Sequence, residues 1–276
     1  MAEKKIADMH IHSTASDGRL TPEELIRMAE KIPHLAAIAI TDHDTPEGGR
    51  RALHYGSSII KIIAGIEFSC IYGEEEAHIL GYYIDTENED LVQTEKKMLV
   101  ARRHRAMRFV EKLQEKNVAV TWDEVQQQAG GKAIGRPHIA RAILRKGYVK
   151  TLDEAYEKYL SPQSDTYVPR QKMSVEEAVK VIEAAGGCSV LAHPAEIKNQ
   201  SLIKEIIALG VKGIEVYHPS HDAAANAKYL DLAQRHGLFV TGGSDFHFND
   251  NTRTWLVGDY GVECEQVRRM EEVYKK

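Results

Sequence analysis

Apolar runs of six to eight residues alternate with amphipathic segments near both ends of the chain. Seven runs are predicted as strands, at residues 6–12, 35–40, 59–66, 77–83, 187–193, 213–218 and 238–243. Thr21 and Ser174 are each followed three residues later by Glu, which predicts helix starts with a capping box. Further helices are predicted at residues 202–209, 223–236 and 264–274. Because uninterrupted apolar runs are typical of strands buried on both faces of a parallel sheet, the alternation predicts an α/β protein.

The middle of the chain, from about residue 88 to residue 172, shows helical periodicity and no strand signal. Apolar residues recur at helical spacing between Met98 and Leu113, and further helices are predicted at 122–129 and 136–146. We therefore predict a domain of strands and helices made of residues 1–98 and 172–276. An all-helical insertion at residues 99–171 is predicted to cap the substrate site.

Residues that can bind metals fall at or just past the ends of the predicted strands. They are His10, His12, His43, Glu67, His193, His218, Asp245 and His247. In a βα-barrel, the carboxyl ends of all strands meet at the face where sites are built. A doubly wound sheet would concentrate such residues at one switch point. The distribution therefore favours a barrel of about seven strands.

His10 and His12 are two residues apart on a predicted strand, so their side chains face the same side. Asp17 follows in a Ser-Asp-Gly turn, which can fold a carboxylate back over that strand. Two imidazoles and a carboxylate are typical ligands of a first-row metal. The alternative is a strand end that carries two solvated histidines. The 13 histidines of the chain favour the metal site without deciding it.

Charge is unevenly distributed along the 276 residues, whose formal net charge is −5. Residues 99–150 hold twelve Lys and Arg against four Asp and Glu, a net +8 that leaves −13 for the remainder. A basic segment on an acidic body indicates a polyanionic substrate that approaches this segment, although a solvated helix face is the alternative. The overall acidity argues against stable binding of duplex nucleic acid, where many phosphates must be neutralised.

The chain has no apolar run of about 18 residues, so no membrane span and no membrane partner are expected. The first residues lack the apolar stretch of a signal peptide. Its three cysteines, Cys70, Cys188 and Cys264, lie far apart and are odd in number, which argues against a disulfide framework. These features predict a cytoplasmic protein.

Taken in order, six motifs resemble those of the polymerase and histidinol phosphatase (PHP) superfamily. The motifs are His10-Ile-His12 with Asp17, Thr41-Asp-His43-Asp, Gly65-Ile-Glu67, Ala77-His78, His193-Pro194 and Gly243-Ser-Asp245-Phe-His247. The match spans both ends of the chain. The helical insertion resembles that of the nucleotide-phosphatase branch, which includes RNase AM-like proteins.

The resemblance implies a distorted (β/α)₇ TIM-like barrel that holds three divalent metal ions. It assigns His10, His12, Glu67 and Asp245 to the first metal, His78 and His193 together with Glu67 to the second, and Asp17, His43 and His247 to the third. Mixed imidazole and carboxylate ligands suit Mn²⁺, Fe²⁺ or Zn²⁺. Glu67 is a suitable bridging carboxylate, and a metal-bridging hydroxide is the expected nucleophile, without a covalent intermediate. Asp8, Asp42 and Asp44 are interpreted as supporting carboxylates rather than ligands.

Substrate contacts are predicted from fewer signals. The family resemblance makes Arg136 and His138 candidate phosphate or nucleotide contacts, although Gly-Arg-Pro can equally be a helix start. His218 is a candidate general acid or a hydrogen-bond donor to the phosphate, with His221 as its alternative. Arg170 is a further candidate substrate contact. Three aromatic residues can stack on a base or pack in the core: Tyr82, Tyr83 and Trp122.

These features predict a metal-dependent phosphoesterase that hydrolyses phosphate monoesters of small nucleotides, either a 3′,5′-nucleotide bisphosphate or a nucleoside 5′-monophosphate. The alternative with the same chemistry is a 5′-to-3′ exonuclease on short RNA or DNA. From another class, a catalytically silent metal-binding module is the alternative. A histidinol-phosphate phosphatase is disfavoured by the helical insertion, and an amidohydrolase-type deaminase by the three additional ligands.

Overall fold

The computed structural model describes residues 5–170, 173–248 and 255–275. Nine strands form one sheet: β1 (Ile6–Ile11), β2 (Leu35–Ile40), β3 (Lys61–Tyr72), β4 (Glu75–Tyr82), β5 (Met173–Ser174), β6 (Cys188–Leu191), β7 (Gly213–Tyr217), β8 (Phe239–Gly242) and β9 (Val262–Glu263). Eight of them follow the order β8-β7-β6-β4-β3-β2-β1-β9, and β5 pairs with β3 beside this path. The seven strands predicted from the sequence are all present; the short β5 and β9 were missed.

The sheet curves into a nearly closed barrel. Ile11 at the end of β1 forms a parallel bridge with Phe246, which follows β8. The backbone N–H of His12 donates to the carbonyl of Phe246 at 2.9 Å, so the two ends of the sheet meet on the side where the predicted ligands lie. The predicted α/β barrel is thereby confirmed.

Two neighbouring strands depart from the predicted alternation. β3 and β4 form an antiparallel hairpin with no helix between them, and β4 is also antiparallel to β6. The parallel pairing of β3 with β2 ends at Ala64, while β3 continues to Tyr72 as one arm of the hairpin. Glu67 therefore lies in the middle of a strand, and its predicted place at a strand end was wrong.

Ten α-helices lie in the described part of the chain: α1 (Pro22–Ala29), α2 (Glu47–Tyr55), α3 (Glu89–Glu115), α4 (Trp122–Gln126), α5 (Arg136–Arg145), α6 (Leu152–Ala155), α7 (Val175–Ala184), α8 (Leu202–Ala208), α9 (Ala223–His236) and α10 (Cys264–Tyr274). Both predicted capping boxes are confirmed: Thr21 caps α1 with Glu24, and Ser174 caps α7 with Glu177. None of the described helices is long and apolar enough to cross a membrane.

Helices α3 to α6 lie between β4 and β5 and enclose a hydrophobic cluster of their own, which includes Phe109, Leu113, Ile139 and Ile143. The barrel interior is filled separately, by side chains such as Met9, Leu80, Tyr82 and Val190. The division into a barrel domain and an insertion at residues 99–171 stays a prediction. Its second boundary, at residues 171 and 172, lies outside the described residues.

Candidate functional site

The barrel face formed by the ends of β1 and β8 carries a closely packed group of histidines and carboxylates. His10 and His12 have no exposed surface, and their ring centroids lie 5.2 Å apart. A Cβ atom on Gly243 would lie 2.3 Å from the backbone nitrogen of His10, so a glycine is needed where β8 passes β1. This close approach brings Asp245 Oδ1 to 3.0 Å from His12 Nε2 and 3.5 Å from His10 Nε2.

Glu67 lies at the centre of this group. Its Oε1 atom is 2.8 Å from His78 Nδ1 and 3.1 Å from His193 Nε2. Its Oε2 atom is 2.7 Å from His43 Nδ1 and 3.3 Å from His12 Nε2. Burial raises the pKa of the Glu67 carboxyl, but the neighbouring imidazoles, His43 first, hold this pKa well below its usual range. The geometry supports a carboxylate shared between ligand groups.

A second carboxylate, Asp17, lies beside His43 and His247. His247 Nε2 is 3.3 Å from Asp17 Oδ1, and His43 Nε2 is 3.8 Å from Asp17 Oδ2. His12 Nδ1 is also 3.8 Å from Asp17 Oδ1. The third predicted ligand group therefore converges, but His12, which the resemblance gives to the first metal, borders it as well.

Several buried atoms of the cluster have charged neighbours but no neighbour among the described residues at hydrogen-bond distance and angle: His10 Nε2, His12 Nδ1 and Nε2, His43 Nδ1, Glu67 Oε2 and His218 Nε2. An unpaired buried polar atom costs free energy, and a divalent cation between such atoms removes that cost. Ligand atoms within 4.8 Å of one another form four groups: His12, Asp17, His43 and His247; His10, His12 and Glu67; His10, Glu215 and His218; and His43, Glu67 and His78. The donor set fits bound metals.

Glu215 is a candidate site residue that the sequence did not predict. Glu215 in β7 has no exposed surface, and its Oε1 lies 3.1 Å from His10 Nδ1. Its Oε2 accepts the backbone N–H of His193 at 2.8 Å. A signal was present, since Gly213-Ile214-Glu215 repeats the order of Gly65-Ile66-Glu67, with a lone carboxylate in a buried apolar strand.

The three carboxylates predicted as supporting groups bind backbone N–H groups or side chains of neighbouring loops and helices. Asp8 Oδ1 accepts the N–H of Ser244, and Asp8 Oδ2 that of Gly258, both at 2.9 Å. Asp42 accepts the hydroxyl protons of Ser13 and Ser16. Asp44 pairs with Arg102, as described below. These contacts hold the loops that carry the ligands.

The two candidate acid histidines have different surroundings. His218 Nδ1 lies 2.7 Å from the Ser220 hydroxyl, and its Nε2 lies 3.6 Å from Asp245 Oδ2. His221 is occupied at both ring nitrogens: Nδ1 lies 2.8 Å from the carbonyl of Val216, and Nε2 accepts the N–H of Ala195 at 3.4 Å. His218 is therefore the better placed of the two.

A large cavity of about 370 Å³, open to solvent, lies above the cluster, between the barrel and the helical segment. It is lined by Asp17, Arg19, His43, Glu67, His78, Arg102, Gly135, Arg136, Pro137, Arg141, Leu152, Asp153, Tyr156, Arg170, His193, Glu196, Asp245, His247 and Phe248. Arg136 and Arg170 thus face the predicted substrate position. Tyr82, Tyr83 and Trp122 do not line it; the aromatic side chains that do are Tyr156 and Phe248.

The structure argues against His138 as a substrate contact. His138 has no exposed surface, and its Nδ1 accepts the N–H of Gly135 at 2.9 Å, so the histidine side chain satisfies the N-cap backbone donor at the start of α5. Gly135-Arg136-Pro137-His138 thus combines both interpretations of the sequence: Arg136 lines the cavity, while the His138 side chain turns back onto the end of the helix.

Comparison with known proteins agrees with the resemblance of the sequence motifs to the PHP superfamily. The family model of the PHP domain matches residues 8–160, more than half of the chain. The chain belongs to the PHP domain family. Its relatives include a 3′,5′-nucleoside bisphosphate phosphatase of Chromobacterium violaceum, 36% identical over 87% of this chain and 86% of that protein. They also include the 5′-3′ exoribonuclease Rnm of Escherichia coli, 31% identical over 88% and 85%.

Solved structures agree with this PHP assignment. A Bifidobacterium adolescentis protein assigned as a metal-dependent phosphoesterase superposes with a TM-score of 0.88 at 31% identity, covering 97% of this chain and 96% of that one. A Chromobacterium violaceum protein described as an amidohydrolase, with bound sulfate and no metal, gives a TM-score of 0.86 at 33% identity, with 96% of both chains covered. This PHP-domain protein is a metal-dependent phosphoesterase.

Proposed function

We propose that the protein hydrolyses one phosphate monoester of a small nucleotide that carries a second phosphate, with a 3′,5′-nucleoside bisphosphate as the preferred substrate. The Chromobacterium violaceum relative bears the name of that activity. The observation that carries the proposal is a cluster of four arginines beside the predicted ligands, Arg102, Arg105, Arg136 and Arg170, with Asp44 as the carboxylate among the residues that line the same pocket. A second phosphate would offset the charge that Asp44 leaves uncompensated.

The arginine pocket shares Arg102, Arg136 and Arg170 with the large cavity and adds Arg105. Its enclosed space is only about 20 Å³, so a phosphate would bind at its mouth, on the side of the large cavity. Arg105 Nη2 and Arg170 Nη1 are buried and make no hydrogen bond to any described residue. Burial and the charges of Arg170 and Arg136 lower the pKa of Arg105 to about 10. Burial raises the pKa values of Asp44 and Glu76, but these arginines lie close enough to hold both below their usual values, and the positive charges remain in excess. A phosphate matches the paired N–H donors of a guanidinium group.

Three divalent ions, of Mn²⁺, Fe²⁺ or Zn²⁺, are proposed as cofactors because the donors are imidazoles and carboxylates. His10, His12, Glu67, His78, His193, Asp17, His43, Asp245 and His247 would hold them. When bound, such ions neutralise phosphate oxygens and lower the pKa of water. Glu67 would bridge neighbouring ions, since its two oxygens face different histidines.

His218 is proposed as the proton donor to the leaving oxygen. Its Nε2 is buried, points towards Asp245 and makes no hydrogen bond to a described residue. The Ser220 hydroxyl fixes the ring through Nδ1. A leaving alkoxide needs a proton, and a positioned imidazole supplies one near neutral pH.

The proposal is tested by the release of inorganic phosphate from a 3′,5′-bisphosphate and from p-nitrophenyl phosphate by the Mn²⁺-loaded protein. Arg136→Gln and Arg170→Gln should each lower kcat/KM for the bisphosphate about 10-fold to 100-fold, since a charge-assisted hydrogen bond is lost. The aryl ester, which has one phosphate, should be affected far less. Arg269→Gln, at an exposed arginine of α10, is the control. Equal losses on both substrates would contradict the assigned pocket.

The exonuclease is kept as a second function because the Rnm relatives bear that name. A 5′-labelled short RNA separates the two activities: phosphate release from the mononucleotide alone would exclude the exonuclease. A catalytically silent module would show no activity, and neither His43→Ala nor Asp245→Ala would then change the rate. The cytoplasmic location and the absence of stable duplex binding stay predictions.

A further inference from the structure

One arginine takes part in both the arginine pocket and the candidate metal site. Arg102 is buried and lines the pocket as well as the large cavity. Its Nε donates to Asp44 Oδ2 at 2.6 Å, and its Nη2 donates to the Ser69 hydroxyl at 3.2 Å. Asp44 follows His43 in the loop after β2, residues 41–45, which is the ligand loop. Arg102 therefore connects the pocket to a loop that carries a predicted metal ligand.

Asp44 is fixed to the centre of the site. It has no exposed surface and a φ of 57°, and its N–H donates to the Glu67 carbonyl at 2.9 Å. Its Oδ1 accepts the N–H of Ser69 at 2.8 Å, so the carboxylate joins β3 to Arg102. The preceding residue, His43, places its Nδ1 2.7 Å from Glu67 Oε2. A displacement of the Asp44 carboxylate would therefore move His43 relative to Glu67.

The third nitrogen of the Arg102 guanidinium lies on the side of the pocket. No hydrogen bond among the described residues uses this nitrogen, Nη1. A Cβ atom on Gly135 would lie 3.2 Å from Nη1, and Gly135 lines both the pocket and the large cavity. Nη1 is thus the donor that Arg102 can offer to an anion at the mouth of the pocket while it keeps its bonds to the ligand loop and to β3.

An anion at Nη1 would act on the whole guanidinium group. This group is planar and rigid, so its three nitrogen atoms move together. Burial, and then the charge of Arg102, lowers the pKa of Arg170, which shows that these two cations repel each other. An anion between them would remove this repulsion and fix the plane in which Arg102 donates to Asp44 and Ser69.

We propose that Arg102 and Asp44 couple the binding of the retained phosphate, the one that is not hydrolysed, to the position of His43. This inference rests on the proposed function, in which the retained phosphate binds at the mouth of the arginine pocket. The binding energy of that phosphate is then used at the reacting centre, so it raises kcat as well as lowering KM. Arg102 and Asp44 are positioning residues, and His43 is the group that they position.

Two simpler roles have different kinetic signatures. If Arg102 bound the retained phosphate without affecting the ligand loop, this phosphate would lower KM and leave kcat unchanged. If Asp44 only supported the fold around His43, its loss would slow the hydrolysis of every substrate by the same factor. Coupling alone makes the effect of Asp44 on kcat depend on the retained phosphate.

The kinetic test compares a nucleoside 3′,5′-bisphosphate with the corresponding 3′- and 5′-monophosphates, all with the Mn²⁺-loaded protein. In the wild type, kcat for the bisphosphate should exceed kcat for the faster monophosphate about 10-fold. Asp44→Asn preserves the shape of the side chain and tolerates positive φ, and it should lower this ratio about fivefold. Because this variant removes a negative charge beside the pocket, KM for the bisphosphate should not rise.

Two further variants complete the kinetic test. Arg102→Lys keeps the charge but loses the planar fork, so it should lower the ratio of the two kcat values as Asp44→Asn does. Asp231→Asn makes the same chemical change in an exposed ion pair of α9, where Asp231 lies 3.0 Å from Arg235. It is the matched control and should leave the ratio unchanged.

A second readout needs neither metal nor turnover. The N–H of Asp44 exchanges with solvent only when its bond to the Glu67 carbonyl opens, so amide hydrogen exchange of residues 41–46 reports on the ligand loop. In the chelator-treated wild type, a saturating nucleoside 3′,5′-bisphosphate should slow this exchange about fivefold. In Asp44→Asn the bisphosphate should still bind, as measured by calorimetry, and the slowing should be lost.

The outcomes separate this inference from the proposed function. If the wild type prefers the bisphosphate through KM alone, or if Asp44→Asn slows the bisphosphate and the monophosphates equally, the coupling is wrong and the proposed function stands. Exchange of the ligand loop that does not change on binding would also contradict the coupling. Both wild-type measurements remain decisive if a variant does not fold. If the wild type does not prefer the bisphosphate, the proposed function fails and the coupling falls with it.

Discussion

Glu215 acts on two predicted ligands at once, because its carboxylate contacts the His10 ring and the backbone of His193. A carboxylate at Nδ1 fixes the tautomer that leaves Nε2 of His10 free to bind a metal. Burial raises the pKa of Glu215, but the charges of His10 and His218 keep that pKa below its usual value. Glu215 is thus a positioning residue for both histidines.

Glu215→Gln should lower metal affinity about 10-fold to 100-fold, the usual effect of losing a carboxylate behind a histidine ligand. The amide preserves the shape of the side chain and can still accept the N–H of His193, so the fold should persist. Metal affinity is measured by titration of the chelator-treated protein. Glu205→Gln, which changes an exposed carboxylate bonded to the Tyr72 hydroxyl, is the control. Wild-type affinity in Glu215→Gln would contradict the positioning role.

His138 links the stability of α5 to pH. Burial, and then the charge of Arg141, lowers its pKa to about 4 from an unfolded value of 6.5. Below pH 6.5 the unfolded chain binds a proton that the folded chain excludes, so stability is lost as the pH falls from about 6.5 to about 4. At 1.36 kcal/mol per pKa unit, the full loss is about 3 kcal/mol.

His138→Gln should remove this contribution, because a glutamine at the same helix position can accept the N–H of Gly135 through its amide oxygen and does not titrate. Urea unfolding of the chelator-treated protein at pH 7 and pH 5 measures it. The variant should lose less stability between the two pH values than the wild type does. His236→Gln, at an exposed histidine of α9, is the control. An unchanged difference would show that His138 is protonated in the folded protein.

At the residue scale, a site residue could be predicted from the sequence where it shared a short motif with a second one. His10, His12 and Asp245 lie in motifs with internal spacing, and the structure brings them together. Glu215 was not predicted because a single carboxylate near the end of an apolar strand usually points to solvent, whereas Glu215 is buried. The sequence left two interpretations of His138 open, because a histidine can serve either at a helix start or in a substrate contact.

At the scale of elements, the local sequence predicted where helices and strands lie, but it did not predict which strands pair or in which direction. The runs that form β3 and β4 were correctly predicted as strands, but the turn between them contains only Gly73 and Glu74, which was not recognised as a hairpin. Gly73 has a φ of 62°, a conformation that favours glycine. Strand direction depends on this turn and on pairing with β6, which lies more than a hundred residues away.

One buried ion pair joins the helical segment to the ligand loop. Arg102 of α3 donates through Nε to Asp44 Oδ2 at 2.6 Å and through Nη2 to the Ser69 hydroxyl at 3.2 Å. Asp44 has a φ of 57° and follows His43 directly, and its N–H donates to the carbonyl of Glu67. The position of α3 is therefore coupled to the loop that carries His43.

Arg102→Gln should destabilise the protein by about 3–5 kcal/mol, because the charge of Asp44 would stay buried without its partner. Asp44→Asn keeps a residue that tolerates positive φ. The double variant should be more stable than the sum of the single losses implies, by 1 kcal/mol or more. Urea denaturation of all four proteins measures the coupling. Strictly additive losses would show that the pair contributes no mutual interaction.

For the whole molecule, the positive charge that is concentrated in one segment of the sequence is also concentrated in one region of the structure, around the two cavities. The basic segment predicted to meet a polyanion places Arg102, Arg105, Arg136 and Arg141 around the two cavities. The sequence could not show that Arg19, from the first loop of the barrel, joins this surface. That neighbourhood exists only after the barrel closes and the loop around Gly130 packs on Thr14.

Metal removal should weaken the whole fold, because the ligand atoms without a hydrogen bond belong to residues in or just after four different strands, β1, β2, β3 and β7. A single ion at 100 times its Kd adds about 2.7 kcal/mol to the free energy of unfolding, so chelation should lower Tm by about 5 °C or more.

Elemental analysis of the purified protein should find about three metals per chain, and the same analysis of the Asp17→Ala variant should find about two. Because His12 borders the Asp17 group at 3.8 Å, the remaining ions should bind more weakly in that variant, yet stay bound. If Asp17→Ala empties every site, the ligand groups bind their ions as one cooperative unit; if the wild type holds one metal, the assignment of three is wrong.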